Sequence, residues 1–270
     1  MKNFFTQVFT RRSSSAPIAL LTDFGTTDPY VGAMKGVIAS IRPDATVIDI
    51  CHTTGPQNVL EASYFLWSCY RFFPRDTLFI VVVDPGVGTD RNILLLRMAS
   101  RWFLAPDNGV LDFVMGDEAV ESTTSIRMTN SPYVLSTVSK TFQGRDVFAP
   151  VGAYISLGVL PEELGKKIKA PRIQSTFVTA KSERFGSVLH VDHFGNVISN
   201  IRPTDGNRPA SVSIGGKVVR RWIKNYQEAP AKIPCVIIGS SGLVELVVKN
   251  DHAGRRLHAR SGARLGVLWP

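Results

Sequence analysis

IALLTDFGTTDPYVGAMKGVIASI, residues 18–41, moves from a strand to a loop to a helix in one sweep. Ile18 to Leu21 is a short apolar run of strand length, and Thr22-Asp23-Phe24-Gly25 turns out of it. Asp28 then stands as an N-cap and Pro29 at the first helical position, ahead of a helical stretch from Tyr30 to Ile41. Strand, loop, helix is the repeating unit of an open α/β sheet, and such sheets hold their ligands at the carboxyl ends of the strands.

The same order recurs downstream. Ala45 to Ile50 reads as a second strand and Val59 to Phe73 as a helix, broken by Pro74-Arg75-Asp76. Leu78 to Val83 is a buried strand, and Asn92–Met98 with Arg101–Ala105 form a hairpin. Gly109 to Phe113 opens a short helix, and Asp146 to Leu157 is another, closed by Gly158 and Pro161. Beyond Pro171 the texture changes to short strands divided by Gly, Asn and Pro: 187–191, 197–200, 211–214, 217–222, 236–238, 243–248 and 264–268. The fold expected is therefore α/β: an N-terminal, mostly parallel sheet with flanking helices over residues 16–170, and a smaller C-terminal β-barrel domain over 171–270. The Ser-rich, acid-free residues 1–15 are expected to be a disordered tail.

Composition narrows the function. An apolar fraction of 44% permits a sizeable core, and no apolar run approaches the ~18 residues that span a bilayer. Cys51, Cys69 and Cys235 form no CxxC pair and are odd in number, which fits a reducing, cytoplasmic setting better than a disulfide framework. The net charge of +9 is concentrated late: residues 215–270 carry ten Lys or Arg against three acids. No nucleic-acid motif accompanies that charge, so anion steering or solubility is its expected use.

The strand-end loops carry the chemistry. VVVDPGVGTDR (81–91) sets Asp84 and Arg91 in one tight loop; the two can pair and order a small ligand, or form an Asp-Pro-Gly turn with a surface ion pair. No GK[ST] follows, so it is not a phosphate cradle of the Walker type. Asp23 and Asp28 flank a Gly-Thr-Thr turn, where a carboxylate can accept from both hydroxyls of a ribose; helix capping is the plainer reading of Asp28. In VDHFGN (191–196), Asp192 and Asn196 make either a β-turn or a site in which the amide reads an adenine edge. His190 and His193 lack further ligands at metal spacing, so no metal is expected. GSSGLVEL (239–246) offers Ser240 and Ser241 in an anion-binding turn, not a GxSxG nucleophile elbow. Tyr226 and Trp222 are core residues by default, with base stacking as the alternative.

Taken together with APDNGVLD (105–112) and TFQGRDVFAP (141–150), these motifs resemble, in order from about Ile18 to Val248, the S-adenosylmethionine hydroxide adenosyltransferase family, whose relatives include halogenating enzymes. The resemblance implies a trimer whose sites lie between the N-domain of one subunit and the C-domain of its neighbour. It implies hydrolysis of S-adenosyl-L-methionine to adenosine and methionine by water attack at the ribose C5′, with no cofactor. By motif position Asp23 would hold the ribose hydroxyls, Asp28 and Asp192 the methionine ammonium, and Ser240 and Ser241 its carboxylate. Asn196 would read adenine, Tyr226 would stack on it, and Asp84 and Arg91 would hold the water. The family completes that pair with the His of a TFHGRD motif; here Gln143 replaces it, and a Gln cannot take a proton at neutral pH. A slower hydrolase is implied, with a non-catalytic S-adenosylmethionine or adenosine binder and a halogenase as alternatives.

Overall fold

A computed structural model describes residues 16–128, 131–178, 183–203 and 208–270. The tail expected at 1–15 lies outside the described residues. The chain forms two compact units. The first takes residues up to 62, 69–111 and 117–172; the second takes 63–68, 112–116 and 173–270.

The sheet of the first unit contains β1 (Ile18–Thr22), β2 (Val47–Cys51), β3 (Leu78–Val82), β4 (Ile93–Met98), β5 (Arg101–Pro106), β6 (Val120–Ile126) and β7 (Gly165–Lys167), in the order β2-β1-β3-β5-β4-β6-β7. Strands β2, β1, β3 and β5 run parallel, and the remaining pairings are antiparallel. β1 and β3 are buried along their whole length, as parallel strands covered on both faces must be. Helix α1 (Tyr30–Ile41) packs on a later helix, Ala149–Ser156. Met34, Ile38, Ile80, Leu104 and Phe148 belong to the apolar core of this unit. Gly152 fits tightly there: a Cβ would stand 2.3 Å from Ile80 Cδ1.

Several boundaries move for local reasons. Pro29, not Asp28, occupies the capping position of α1, and it makes no side-chain cap hydrogen bond. The N-cap reading of Asp28 is thereby corrected, and that carboxylate is left exposed at the loop. Helix α2 (Val59–Cys69) stops before Pro74 and gives way to a 3₁₀ turn at Tyr70–Phe72. The helix expected from Gly109 starts instead at Asp112 (α3, Asp112–Asp117), because Gly109 has φ +90 and Asn108 Oδ1 accepts from Val110 N at 3.2 Å. The helix expected from Asp146 is split into a π turn, Gly144–Phe148, and α4 (Ala149–Ser156). β6, β7 and α5 (Pro161–Leu164) are additional; β6 reads VESTTSI and shows no apolar run.

The second unit is a seven-stranded sheet: β8 (Phe185–Val191), β9 (Val197–Ser199), β10 (Ser211–Ile214), β11 (Lys217–Val219), β12 (Pro234–Ile238), β13 (Val244–Val248) and β14 (Arg264–Leu268). The order is β11-β10-β14-β8-β9-β13-β12, with every pairing antiparallel. The chain after β11 then bridges to β12: Ile223 N donates to Val236 O at 3.0 Å and Val236 N to Arg221 O at 2.7 Å. The sheet is thus nearly closed as a barrel around Val188, Val197, Val236, Leu246 and Leu265. A short helix, α6 (Ala253–Arg256), follows β13.

Candidate functional site

In the first unit, β3 runs directly into Asp84. Arg91 grips its carboxylate: Nε donates to Oδ1 at 2.8 Å and to Oδ2 at 2.7 Å, and Nη2 also reaches Oδ2. Nη2 donates further to Gln143 Oε1 at 2.6 Å. The pair is not a surface one: the side chains are 4% and 9% exposed, and Gln143 is 6% exposed. The turn reading holds as well, since Gly86 N donates to Asp84 Oδ1 at 3.2 Å. Arg91 Nη1 is buried and meets no hydrogen-bond partner among the described residues. Such a donor is expensive to bury unless something polar takes its hydrogen bond.

The sequence builds this cluster from three directions. Asn108, of the PDNG motif, donates Nδ2 to Val83 O at 2.9 Å and so fixes the strand end next to Asp84. Asp146, fully buried, accepts from Ser139 N at 2.8 Å and from Arg145, holding the segment that leads to Gln143. Gly88 has φ +82, and a Cβ there would lie 2.5 Å from Lys140 O, so the Asp84–Arg91 loop seats on the backbone before Gln143 only because Gly88 is bare. Gly88→Ala is therefore expected to cost roughly 1–3 kcal/mol and to lower turnover by separating Arg91 from Gln143. Thermal unfolding and an activity assay on the same preparation check both.

Asp23 leaves β1 and accepts from Gln57 N at 2.7 Å through Oδ2. The Gln57 loop is itself tied by Glu61 of α2, which accepts from Gly55 N at 2.7 Å. Burial pushes the Asp23 carboxyl above its ordinary value against the pull of the Gln57 amide, and the Asp84 charge adds to the rise. Asp23 and Asp84 thus act on each other at adjacent strand ends.

The second unit holds a cavity of about 1120 Å³, large enough for a nucleoside carrying an amino acid. Asp192, Asn196, Tyr226 and Ser240 line it, together with Tyr64, Phe65, His190 and Glu245. Asp192 accepts from Asn196 N at 2.7 Å and from Asn196 Nδ2 at 3.0 Å, while Gly195 N returns to Asp192 O at 2.9 Å. The turn is thus formed, and both of its polar residues line the cavity. Ser241 stands outside the lining; its buried Oγ makes no hydrogen bond of regular geometry but lies near the Tyr64 phenol. Tyr226 is half exposed in a 3₁₀ turn, capped by Asn225, whereas Trp222 donates to Pro209 O at 3.0 Å and packs on the barrel core.

Glu245 is a cavity residue to which sequence reasoning gave no role. Its signal was a lone acid in an otherwise apolar strand, VELVV. Burial first, then the Asp192 charge, pushes its carboxyl up to about 7 against the bond from Tyr226. Among the described residues, no group of three or more His, Cys, Asp or Glu could hold a metal ion.

The sequence model for SAM hydroxide adenosyltransferase N-terminal domains matches residues 18–165, and the C-terminal domain model matches 186–266. The chain belongs to this family. Among SAM hydroxide adenosyltransferase relatives, an (R)-S-adenosyl-L-methionine hydrolase of Thermus thermophilus is 31% identical over 265 residues, covering 93% of this chain and 99% of its own. A fluorinase of Actinopolyspora mzabensis is 30% identical, over 75% of this chain and 77% of its own. The crystal structure of an uncharacterized conserved protein from Thermotoga maritima superposes with a TM-score of 0.82 at 33% identity, covering 93% of this chain and 99% of that one.

Proposed function

We propose that this SAM hydroxide adenosyltransferase hydrolyses S-adenosyl-L-methionine to adenosine and L-methionine. The observation that carries the reading is the buried Asp84–Arg91–Gln143 cluster, whose guanidinium Nη1 lacks a partner among the described residues. That donor and the Asp84 carboxylate suit a water molecule, which can accept from the one and donate to the other. In the reaction the water oxygen bonds to C5′, the C5′–S bond breaks, and its electron pair stays on sulfur, giving the neutral thioether of methionine. The sulfonium needs no protonation to leave. The protein's tasks are alignment, which can supply several kcal/mol, and removal of the water's proton, for which Asp84 is the base at hand.

Around that centre, Asp23 holds the ribose hydroxyls. Asp28 and Asp192 take the methionine ammonium, Ser240 and Ser241 its carboxylate, while Asn196 reads adenine and Tyr226 stacks on it. No separate cofactor takes part. Each unit of the chain carries part of this set, which supports a homotrimer with sites completed between subunits; light scattering on purified protein tests that state. No helix among the described residues is long and apolar enough to cross a membrane, and three free cysteines suit a cytoplasmic location.

Halide transfer is disfavoured by the same residue. A halide next to Asp84 meets a like charge, roughly 4 kcal/mol at ~4 Å and an effective dielectric of ~20. Adenosine release from S-adenosyl-L-methionine, followed by chromatography at high chloride, is the test: adenosine without 5′-chloro-adenosine is expected, and retained, uncleaved ligand contradicts the proposal. Gln143→His supplies a titratable base where Gln143 supplies only an acceptor. It is expected to raise kcat at least about tenfold above pH 7; a kcat that falls instead contradicts the assigned trio.

A further inference from the structure

Glu245 lies in β13 with its side chain in the cavity wall, 6% exposed. Its cross-strand partners are Ile198 and Ile237, both apolar. Gly239 makes room for the carboxyl: a Cβ there would sit 1.7 Å from Oε1. The one side-chain hydrogen bond described for it is long, from the Tyr226 hydroxyl at 3.5 Å. Among the described residues, no Lys, Arg or His forms an ion pair with it. Lys249, the cation on the cavity wall, donates instead to Gln227 O at 2.9 Å. Asp192 faces the same cavity, and its charge acts on Glu245. The other titratable groups there are Tyr64, His190 and Asp251, and Asp251 is tied to Arg256. Two acids thus share a hollow whose nearby cation is turned to another partner. Buried charges of one sign are tolerated where an opposite charge arrives to meet them.

We infer that Glu245 is a charge-reading residue of the nucleoside cavity: while Asp192 holds the methionine ammonium, Glu245 selects a ligand that carries a second positive centre, at the sulfonium position, over the analogue neutral there. This rests on the cavity being the nucleoside site, as proposed above. A consequence concerns protons. In the empty cavity, burial and Asp192 keep the Glu245 carboxyl protonated up to about pH 7. An arriving cation favours the carboxylate, so the proton leaves to solvent.

The test is titration calorimetry on the whole protein with three probes. Sinefungin carries an ammonium-bearing carbon in place of the sulfonium and is not cleaved. S-Adenosylhomocysteine is neutral at that position, and adenosine lacks it. The wild type is expected to prefer sinefungin over S-adenosylhomocysteine by at least about tenfold at pH 8. Glu245→Gln is expected to reduce that preference to about threefold or less while still binding adenosine. At pH 6.5, across buffers of different ionisation enthalpy, sinefungin binding to wild type is expected to release between about half a proton and one proton, and to Glu245→Gln none.

The folded state of that variant is checked by its pH-dependent stability. The folded wild type holds the Glu245 proton up to about 7, while the unfolded chain gives it up near 4.5, so stability falls as pH climbs between those values. Glu245→Gln is therefore expected to melt above wild type at pH 8 and level with it near pH 5. Adenosine binding with an undiminished sinefungin preference in the variant, or no proton release by wild type, overturns the inference alone. Failure of adenosine to bind wild type overturns the cavity assignment and the inference with it.

Discussion

Asp84→Asn is expected to lower kcat for adenosine formation by about 10²–10⁴-fold with KM nearly unchanged. The substitution preserves shape. Asn can still accept from Gly86 N and from Arg91, the contacts that hold the loop. What it removes is the negative charge, and with it the acceptor for the water's proton. Gln143 cannot take over, because its Oε1 already receives Arg91 Nη2 and an amide does not ionise in this range. Substrate affinity should survive, since the groups assigned to ribose, adenine and amino acid lie elsewhere. Single-turnover kinetics separates chemistry from release. A kcat within about threefold of wild type would remove Asp84 from the reaction and leave it a turn residue.

Arg91→Ala is expected to carry the largest stability loss, about 3–5 kcal/mol. Asp84 is 4% exposed and receives both bonds of the Arg91 fork, so truncation strands a buried carboxylate. Gln143 also loses its donor, and the remaining bond from Gly86 N to Asp84 is a neutral one that offsets little of the loss. Activity should fall at least as far as in Asp84→Asn, because the N–H proposed to hold the water is gone. The double variant Asp84→Asn/Arg91→Ala is expected to recover part of the stability, since no charge is then left alone, but none of the activity. Chemical denaturation of the four proteins gives the coupling. Strict additivity would mean that the two side chains do not act as a pair.

Much of the first unit was legible because its signals are local. Ile18–Thr22 and Leu78–Val82 are apolar runs of strand length ending in polar loops, and the parallel pairing of β1 with β2 and β3 follows from the helices between them. The same locality placed Asp23, Asp84 and Arg91 in loops at strand ends and marked VDHFGN as a turn. Three features were hidden. Asp28 looked like a cap, yet Pro29 takes the capping position itself. Residues 63–68 sit within α2 but group with the second unit, where Phe65 meets His190 edge-on at 4.7 Å. No periodicity in a helix announces which neighbour its far end will choose. Glu245 resembled any acid in a half-buried strand; that it shares a cavity with Asp192 depends on how the strands close into a barrel.

In the proposed reaction a solvent oxygen becomes the 5′-hydroxyl of adenosine. Turnover of S-adenosyl-L-methionine in oxygen-18 water, with mass spectrometry of the nucleoside, tests this directly. One heavy oxygen at the 5′ position of every newly formed adenosine is the expected result. Adenosine without the label, or a product substituted at C5′ by anything other than oxygen, would contradict it.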